Sequence, residues 1–301
     1  MPLPPLAAVR VFEAAARHLS FTGAASELGM SQAAVSYQIK LLEARLGPLF
    51  LRKARGVALT PAGQRLAPAV SGAFEGLRVA FEELSETVEG LLAITVVQTF
   101  ASNWLVPRIG AFQAAHPDIA VRLDVSGRTV DFAREDFDLG IRGGSGRWPG
   151  LAAHPLIPTD FTPMLSPLLL ERHGPIEEPA DLLKLPLVDP KDLWWPLWFA
   201  AAGVVADDIA KRPGIDLGAQ NLAGSAAVAG QGVAVLTPAF FRDELASGRL
   251  VQPFPLLARE GSQHAGYWLV YPQARRNAAK IRAFRDWILG TLEKEKKAAP
   301  P

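Results

Sequence analysis

The 301-residue sequence contains no cysteine. Disulfides and thiolate metal sites are thereby excluded. Histidine is nearly absent: there are five (His18, His116, His154, His173 and His264), at spacings that form no ligand set. No uninterrupted apolar run reaches the roughly 18 residues of a membrane span. The opening segment MPLPPLAAVRVFEAAARH is broken by Arg10 and Glu13, so it lacks the apolar core of a secretory signal. A cytoplasmic protein with no membrane contact is expected. Internal repeats and low-complexity linkers are also missing. No residue pattern calls for a cofactor.

What is present is the composition of a folded, water-soluble chain, 49% apolar and 20% charged. The length suits two or three domains rather than one small core. Net charge is only +1, yet it is unevenly spread. Residues 1–66 hold eight basic side chains against three acidic ones. A basic block on an otherwise near-neutral chain points to a polyanion partner for that block.

That block reads as helices. Leu6, Val9, Phe12 and Ala16 follow a 3.6-residue period over 4–17, with Pro4 and Pro5 in the first turn. A second helix spans about Thr22–Leu28, capped by Ser20 or Thr22 and ended by Gly29. Ser31 caps a third helix, running to Leu46. Val35, Ile39, Leu42 and Leu46 form its buried stripe, and Gln32, Ser36 and Lys40 line the other side with Tyr37 beside them. Helix, glycine turn, helix is the helix-turn-helix signature. In LFLRKARGVALT two apolar runs flank a basic turn, a small β-wing carrying Arg52, Lys53 and Arg55. Thr60-Pro61 then opens a long helix towards Thr87. Its stripe of Leu66, Val70, Ala73, Leu77, Phe81 and Leu84 resembles a coiled-coil seam, whose natural partner is a second copy.

After Gly90 strands alternate with helices, implying a parallel α/β sheet. LLAITVVQT, IAVRLDVS, FDLGIRGG, HPLIP, LPLVD, GVAVLT and YWLVYP read as strands. A helix is expected around Ser102–Ala115 and a last one over Arg276–Leu292, followed by a frayed tail EKEKKAAPP.

The stretches AASELGMSQAAVSYQIKLLEARLG and LTPAG resemble the winged helix-turn-helix of LysR-type transcriptional regulators. NWLVPRIGAFQAAHPDIAVRLDVS, VDFAREDFDLGIRGGSGRWPGL, WWPLWF, GQGVAVL and YWLVYP extend the resemblance over about 290 residues. They resemble the subgroup typified by the glycine-cleavage activator and the β-lactamase activator. One departure stands out: LGPLF has only Pro48 where family members have two residues, which shortens the turn into the wing.

The resemblance implies an all-α winged helix-turn-helix domain over 1–60 and a dimerisation linker helix over 61–89. A two-lobed α/β effector domain, similar to periplasmic binding proteins, would follow over 90–301. Lobe I would comprise 90–162 and 268–301, and lobe II 163–267. A homodimer or homotetramer would bind double-stranded promoter DNA, and a small effector would modulate it from the cleft between the lobes.

On DNA, the recognition helix would enter the major groove. Gln32 and Ser36 would reach base edges. Ser31, Tyr37 and Lys40 would reach phosphates, or base edges in the case of Lys40. Ser31 could equally serve only as a cap, and Tyr37 could pack on the wing. Arg52, Lys53 and Arg55 would add sequence-independent attraction.

In the cleft, VVQTFASNW places small polar residues at a helix N-terminus, where amides and hydroxyls can hold a carboxylate. Thr99, Phe100 and Ser102 are the candidates there. Arg142 and Gly143 end another strand, with Arg142 either pairing an effector carboxylate or bound to Asp138 or Asp131. Gln220 and Asn221 would come from the other lobe, and Tyr267 from a lobe crossing. Trp194, Trp195 and Trp198 suit either pocket or core. A carboxylate or amino-acid-like metabolite is the expected effector class. Two other readings stay open: an α/β enzyme carrying a DNA-binding head, and a solute-binding protein.

Overall fold

The computed structural model describes residues 3–53, 56–82, 90–261 and 265–298. Two compact units emerge. One comprises Met1–Glu89, Thr129–Asp138 and Tyr271–Ala283, the other Gly90–Arg128, Leu139–Val270 and Phe284–Pro301.

The first unit is built on α1 (Leu6–His18), α2 (Phe21–Leu28) and α3 (Gln32–Leu46). The prolines expected in the first turn of α1 precede it, with Pro5 at the N-cap. Its buried face is also rotated from the expected stripe. Ala8, Val11, Phe12 and Ala15 are sealed, while Leu6 is 64% exposed. The small alanines let α2 and α3 approach closely. Val35, Ile39 and Leu42 of α3 join the same core. Leu46, expected at the end of that stripe, is instead 37% exposed at the last residue of the helix.

The strands β1 (Phe50–Arg52) and β2 (Val57–Leu59) form the antiparallel wing. The short Gly47-Pro48 turn leading into it is held from below. Glu43 Oε1 accepts the backbone N–H of Leu49 at 2.8 Å and of Phe50 at 3.0 Å. The Thr60 hydroxyl donates to the Pro48 carbonyl at 2.8 Å and accepts the Gly63 N–H at 3.1 Å. Thr60 therefore caps the linker helix α4 (Pro61–Glu82) and ties it to the turn at the same time. The continuation of α4 towards Thr87, including Leu84, lies outside the described residues. The α4 stripe divides: Leu66 and Val70 pack into the core of this unit, joined by Phe74 from outside the expected stripe, whereas Ala73 is exposed and Leu77 and Phe81 are 47% and 70% exposed.

The second unit contains two sheets. Five strands are ordered β4 (Ile119–Val125), β3 (Gly90–Val96), β5 (Leu139–Gly144), β10 (Gly266–Pro272) and β6 (Leu151–Pro158). The expected parallel sheet holds for β4-β3-β5, but β10 runs antiparallel to β5. The second sheet, β8 (Ala234–Leu236), β7 (Asp160–Met164) and β9 (Ala258–Arg259), is antiparallel. Sequence alone missed β7, whose Pro163 argues against a strand. LPLVD forms no strand, only an isolated bridge between Leu187 and Val233.

Between β3 and β4 run α5 (Gln98–Phe100), a π-helical turn (Ala101–Leu105) and α6 (Val106–Ala115). Further on come α7 (Pro167–His173), α8 (Trp194–Ala201), α9 (Gln220–Val228) and α10 (Arg242–Ala246). The last helix, α11 (Ala279–Ala298), reaches beyond the expected Leu292 into the tail thought to fray. Its Ile281, Phe284, Ile288 and Leu292 are buried as their spacing predicts.

Gly63 explains the glycine of LTPAG: a Cβ there would lie 2.3 Å from the Leu49 carbonyl oxygen. Gly63→Ala is expected to destabilise the first unit by about 1–3 kcal/mol. Gly72→Ala in the same helix, where a Cβ meets nothing within 4 Å, should stabilise by about 0.5–1 kcal/mol. Chemical denaturation followed by circular dichroism separates the two. A Gly63→Ala protein as stable as the parent would contradict this close approach.

Candidate functional site

Two regions carry the residues singled out from sequence. The first is the outer face of α3. Ser20 caps α2 by accepting the Gly23 N–H at 3.1 Å. Gly29, at φ 63°, turns the chain in the left-handed region. Ser31 caps α3 through the Ala34 N–H at 3.2 Å, and it remains exposed. The core face of α3 fixes which side chains look outward. Gln32 and Lys40 are exposed, and Ser36, on the same face, is half-buried. Tyr37 is 61% exposed, so it does not pack down on the wing.

Arg52 and Lys53 stand exposed on the wing, and Arg55 lies outside the described residues. No carboxylate partner exists for Lys40, Arg52 or Lys53 among the described residues. Arg17 differs: it is held between Glu13 and Glu27, at 3.1 and 2.6 Å. The wing is pinned to the helices by the Val57 N–H, which donates to the Leu19 carbonyl at 3.1 Å. This face therefore joins outward-facing polar side chains to unpaired cations on a rigid base.

The second region is a cavity of about 980 Å³ in the second unit. Of the residues expected in a cleft, Thr99, Gly143, Gln220 and Tyr267 line it. Phe100, Ser102, Arg142 and Asn221 do not. Phe100 is fully buried, its ring 5.2 Å from Trp104 and 5.8 Å from Phe240. Ser102 and Asn221 border a smaller cavity of about 420 Å³.

Arg142 fails for a simple reason. Side chains alternate along a strand, so Arg142 and Gly143 cannot face the same way. The Arg142 guanidinium donates to the Thr95 hydroxyl at 2.5 Å and the Ile141 carbonyl at 2.9 Å. Burial lowers its pKa, and the charge of Asp124 opposes that shift. Thr95 and Asp124 thus take the place expected for Asp138 or Asp131. Asp138 is bound by Lys280 at 2.8 Å.

The polar groups between the two sheets have definite donors and acceptors. Gln220 Oε1 accepts the Thr237 N–H at 2.9 Å, which fixes the orientation of the amide. Gln220 Nε2 therefore donates to the Tyr267 hydroxyl at 3.1 Å. Tyr267 accepts that bond and keeps its own proton to give. Burial pushes its pKa up to about 12, so the proton stays on. Thr99 Oγ1 accepts the Asn221 N–H at 3.3 Å and faces Asn221 Oδ1 at 3.5 Å.

Sequence reasoning missed the carboxylates. Asp189, Asp192, Asp216 and Glu260 line the cavity, with Lys191 the one lysine or arginine among the described lining residues. Asp189, at φ 47°, accepts the Leu217 N–H at 2.5 Å, and Asp192 accepts the Trp194 N–H at 2.9 Å. Burial raises the pKa of both, and neighbouring carboxylates add to it: Asp216 acts on Asp189, while Asp189 and Glu260 act on Asp192. These acids come from separate loops, so no spacing in the sequence marks them as a set.

The three tryptophans divide between the two readings left open for them. Trp194 lines the cavity and stacks on Phe161 at 4.4 Å. Trp195 and Trp198 are core, their indole N–H groups donating to the Val188 and Leu256 carbonyls at 3.1 Å each.

The chain is similar to known proteins over most of its length. Residues 6–64 match the bacterial regulatory helix-turn-helix of the lysR family, and residues 85–293 match the LysR substrate binding domain. The chain is 39% identical over 297 residues to the glycine cleavage system transcriptional activator of Escherichia coli K12, covering 97% of this chain and 95% of that one. It is 42% identical over 293 residues to the transcriptional activator AmpR of Pseudomonas aeruginosa, covering 95% of each. The solved effector domain of that AmpR superposes with a TM-score of 0.58 at 34% identity, over 69% of this chain and 98% of the domain. With its helix-turn-helix head and two-lobed α/β effector domain, the chain belongs to the LysR family of transcriptional regulators.

Proposed function

We propose that this regulator reads its operator with the outer face of α3. Gln32 and Ser36 contact base edges, and Ser31, Tyr37 and Lys40 contact phosphates, with Lys40 also within reach of a base. Arg52 and Lys53 hold the backbone without regard to sequence. The observation that carries this is the division of α3 into two faces. Val35, Ile39 and Leu42 are at most 2% exposed, while Gln32, Tyr37 and Lys40 are exposed, and the helix's one acid, Glu43, is turned to the Leu49 and Phe50 amides. A surface helix under no such demand mixes both charge signs.

The second copy needed for a pseudo-palindromic site pairs through α4, where Leu77 and Phe81 are 47% and 70% exposed. Sensor domains pair further into a tetramer. The effector occupies the 980 Å³ cavity between lobe I (90–162 and 268–301) and lobe II (163–267), touching Thr99, Gly143, Gln220 and Tyr267. The protein acts in the cytoplasm, where its DNA is, and binds its effector without transforming it.

Lys40→Glu should weaken binding to labelled DNA from the gene's own upstream region at least about tenfold, with the melting temperature unchanged because Lys40 is exposed. A folded variant of full affinity in a gel-shift titration would remove Lys40 from the interface. Replacing Arg52 and Lys53 together by Ala should weaken specific and random DNA alike. It should also reduce the slope of log affinity against log salt by about two; an unchanged slope would take the wing off the backbone. Phe81→Glu should shift the mass in solution towards monomer by light scattering, and an unaltered oligomer would exclude α4 as the seam.

A further inference from the structure

The cavity is charged in the opposite sense to the carboxylate pocket expected from sequence. Taking it as the effector site proposed above, we further propose that it accepts an effector bearing an ammonium group. That group seats against the carboxylates of Asp192 and Glu260, and a hydrogen-bond acceptor on the same molecule meets the Tyr267 hydroxyl.

Four carboxylates and one lysine border the space. None of the four has an ion-pair partner among the described residues. The arginine that could have received an anion, Arg142, is spent on Thr95 and Ile141. An anionic ligand would meet Lys191 alone and be repelled from most of the wall. A cation gains from every carboxylate, and water is partly excluded, so each attraction is stronger than on an open surface.

Two of the acids are held in place by the backbone: the Leu217 amide donates to one oxygen of Asp189, and the Trp194 amide to one oxygen of Asp192. Asp192, Glu260 and Tyr267 line the same cavity, so ammonium and acceptor can belong to one molecule.

An independent observation points to a ligand in the same space. Thr159 lines the cavity at 8% exposure, and its hydroxyl has no hydrogen-bond partner. Buried hydroxyls are rarely left unpaired, and a polar ligand here would satisfy it. A bare metal ion fits poorly. No group of three or more His, Asp or Glu among the described residues converges tightly enough to hold one.

The test uses the full-length protein and matched probes in thermal shift and calorimetry. Alanine and alanylalanine carry both the ammonium and an acceptor; N-acetylalanine and N-acetyl-alanylalanine lack the ammonium. Ammonium probes should stabilise the protein and bind at least about tenfold more tightly than their matched partners. Asp192→Asn, which keeps the bond to the Trp194 amide, and Glu260→Gln should abolish the preference. Binding of acetylated probes that is lost in Tyr267→Phe would overturn the ammonium assignment while keeping the cleft as the effector site. Binding indifferent to both Tyr267→Phe and Asp192→Asn would overturn the cleft assignment as well. No shift from any ammonium probe would reject the proposal.

Discussion

Val35, Ile39 and Leu42 are locked against the alanine face of α1, and that packing sets the direction in which Gln32, Ser36 and Lys40 leave α3. A helix turns about 100° per residue, so burying one stripe fixes every other side chain on it. The surface proposed to read DNA is the far side of a core, so its geometry depends on apolar residues buried away from it.

The wing depends on the same base by a different route. One carboxylate oxygen of Glu43 gathers two consecutive amides, and the Thr60 hydroxyl takes the Pro48 carbonyl between them. These three bonds hold the Gly47-Pro48 turn in place. The carboxylate belongs to the recognition helix itself. Wing and helix are thereby a single rigid body, and charges on the wing keep their register relative to the outer face of α3.

How much of this was legible in the sequence depends on the kind of signal. Local periodicity gave the three helices, the wing strands and the caps at Ser31 and Thr60, because each is decided within a few residues. It failed for β7, where Pro163 hides a strand that survives in a small antiparallel sheet. In the cleft, Thr99, Gly143, Gln220 and Tyr267 could be chosen because each sits at the end of a recognisable element. Arg142 does not line the cavity although its neighbour Gly143 does, since one residue along a strand reverses the direction. The carboxylates were illegible: Asp189, Asp192 and Glu260 converge only through the tertiary fold, and nothing in their local sequence distinguishes them from solvated loop acids.

The acidic wall also bears on how the cleft could respond to its ligand. An effector shifts an equilibrium only by the difference in its affinity for two states. All four carboxylates belong to the proposed lobe II, where burial and then neighbouring carboxylates raise the pKa of Asp189 and Asp192, while the cavity-lining residues of 90–162 carry no charge. Bonds between the two proposed lobes include the Asn221 N–H to Thr99 at 3.3 Å and the Arg242–Glu295 ion pair at 3.4 Å. A cation seated on the acidic wall gains the same attraction whether the lobes stand open or closed. A difference in affinity between two arrangements would then come from contact with the facing lobe, where Thr99 and the unpaired Thr159 hydroxyl line the cavity.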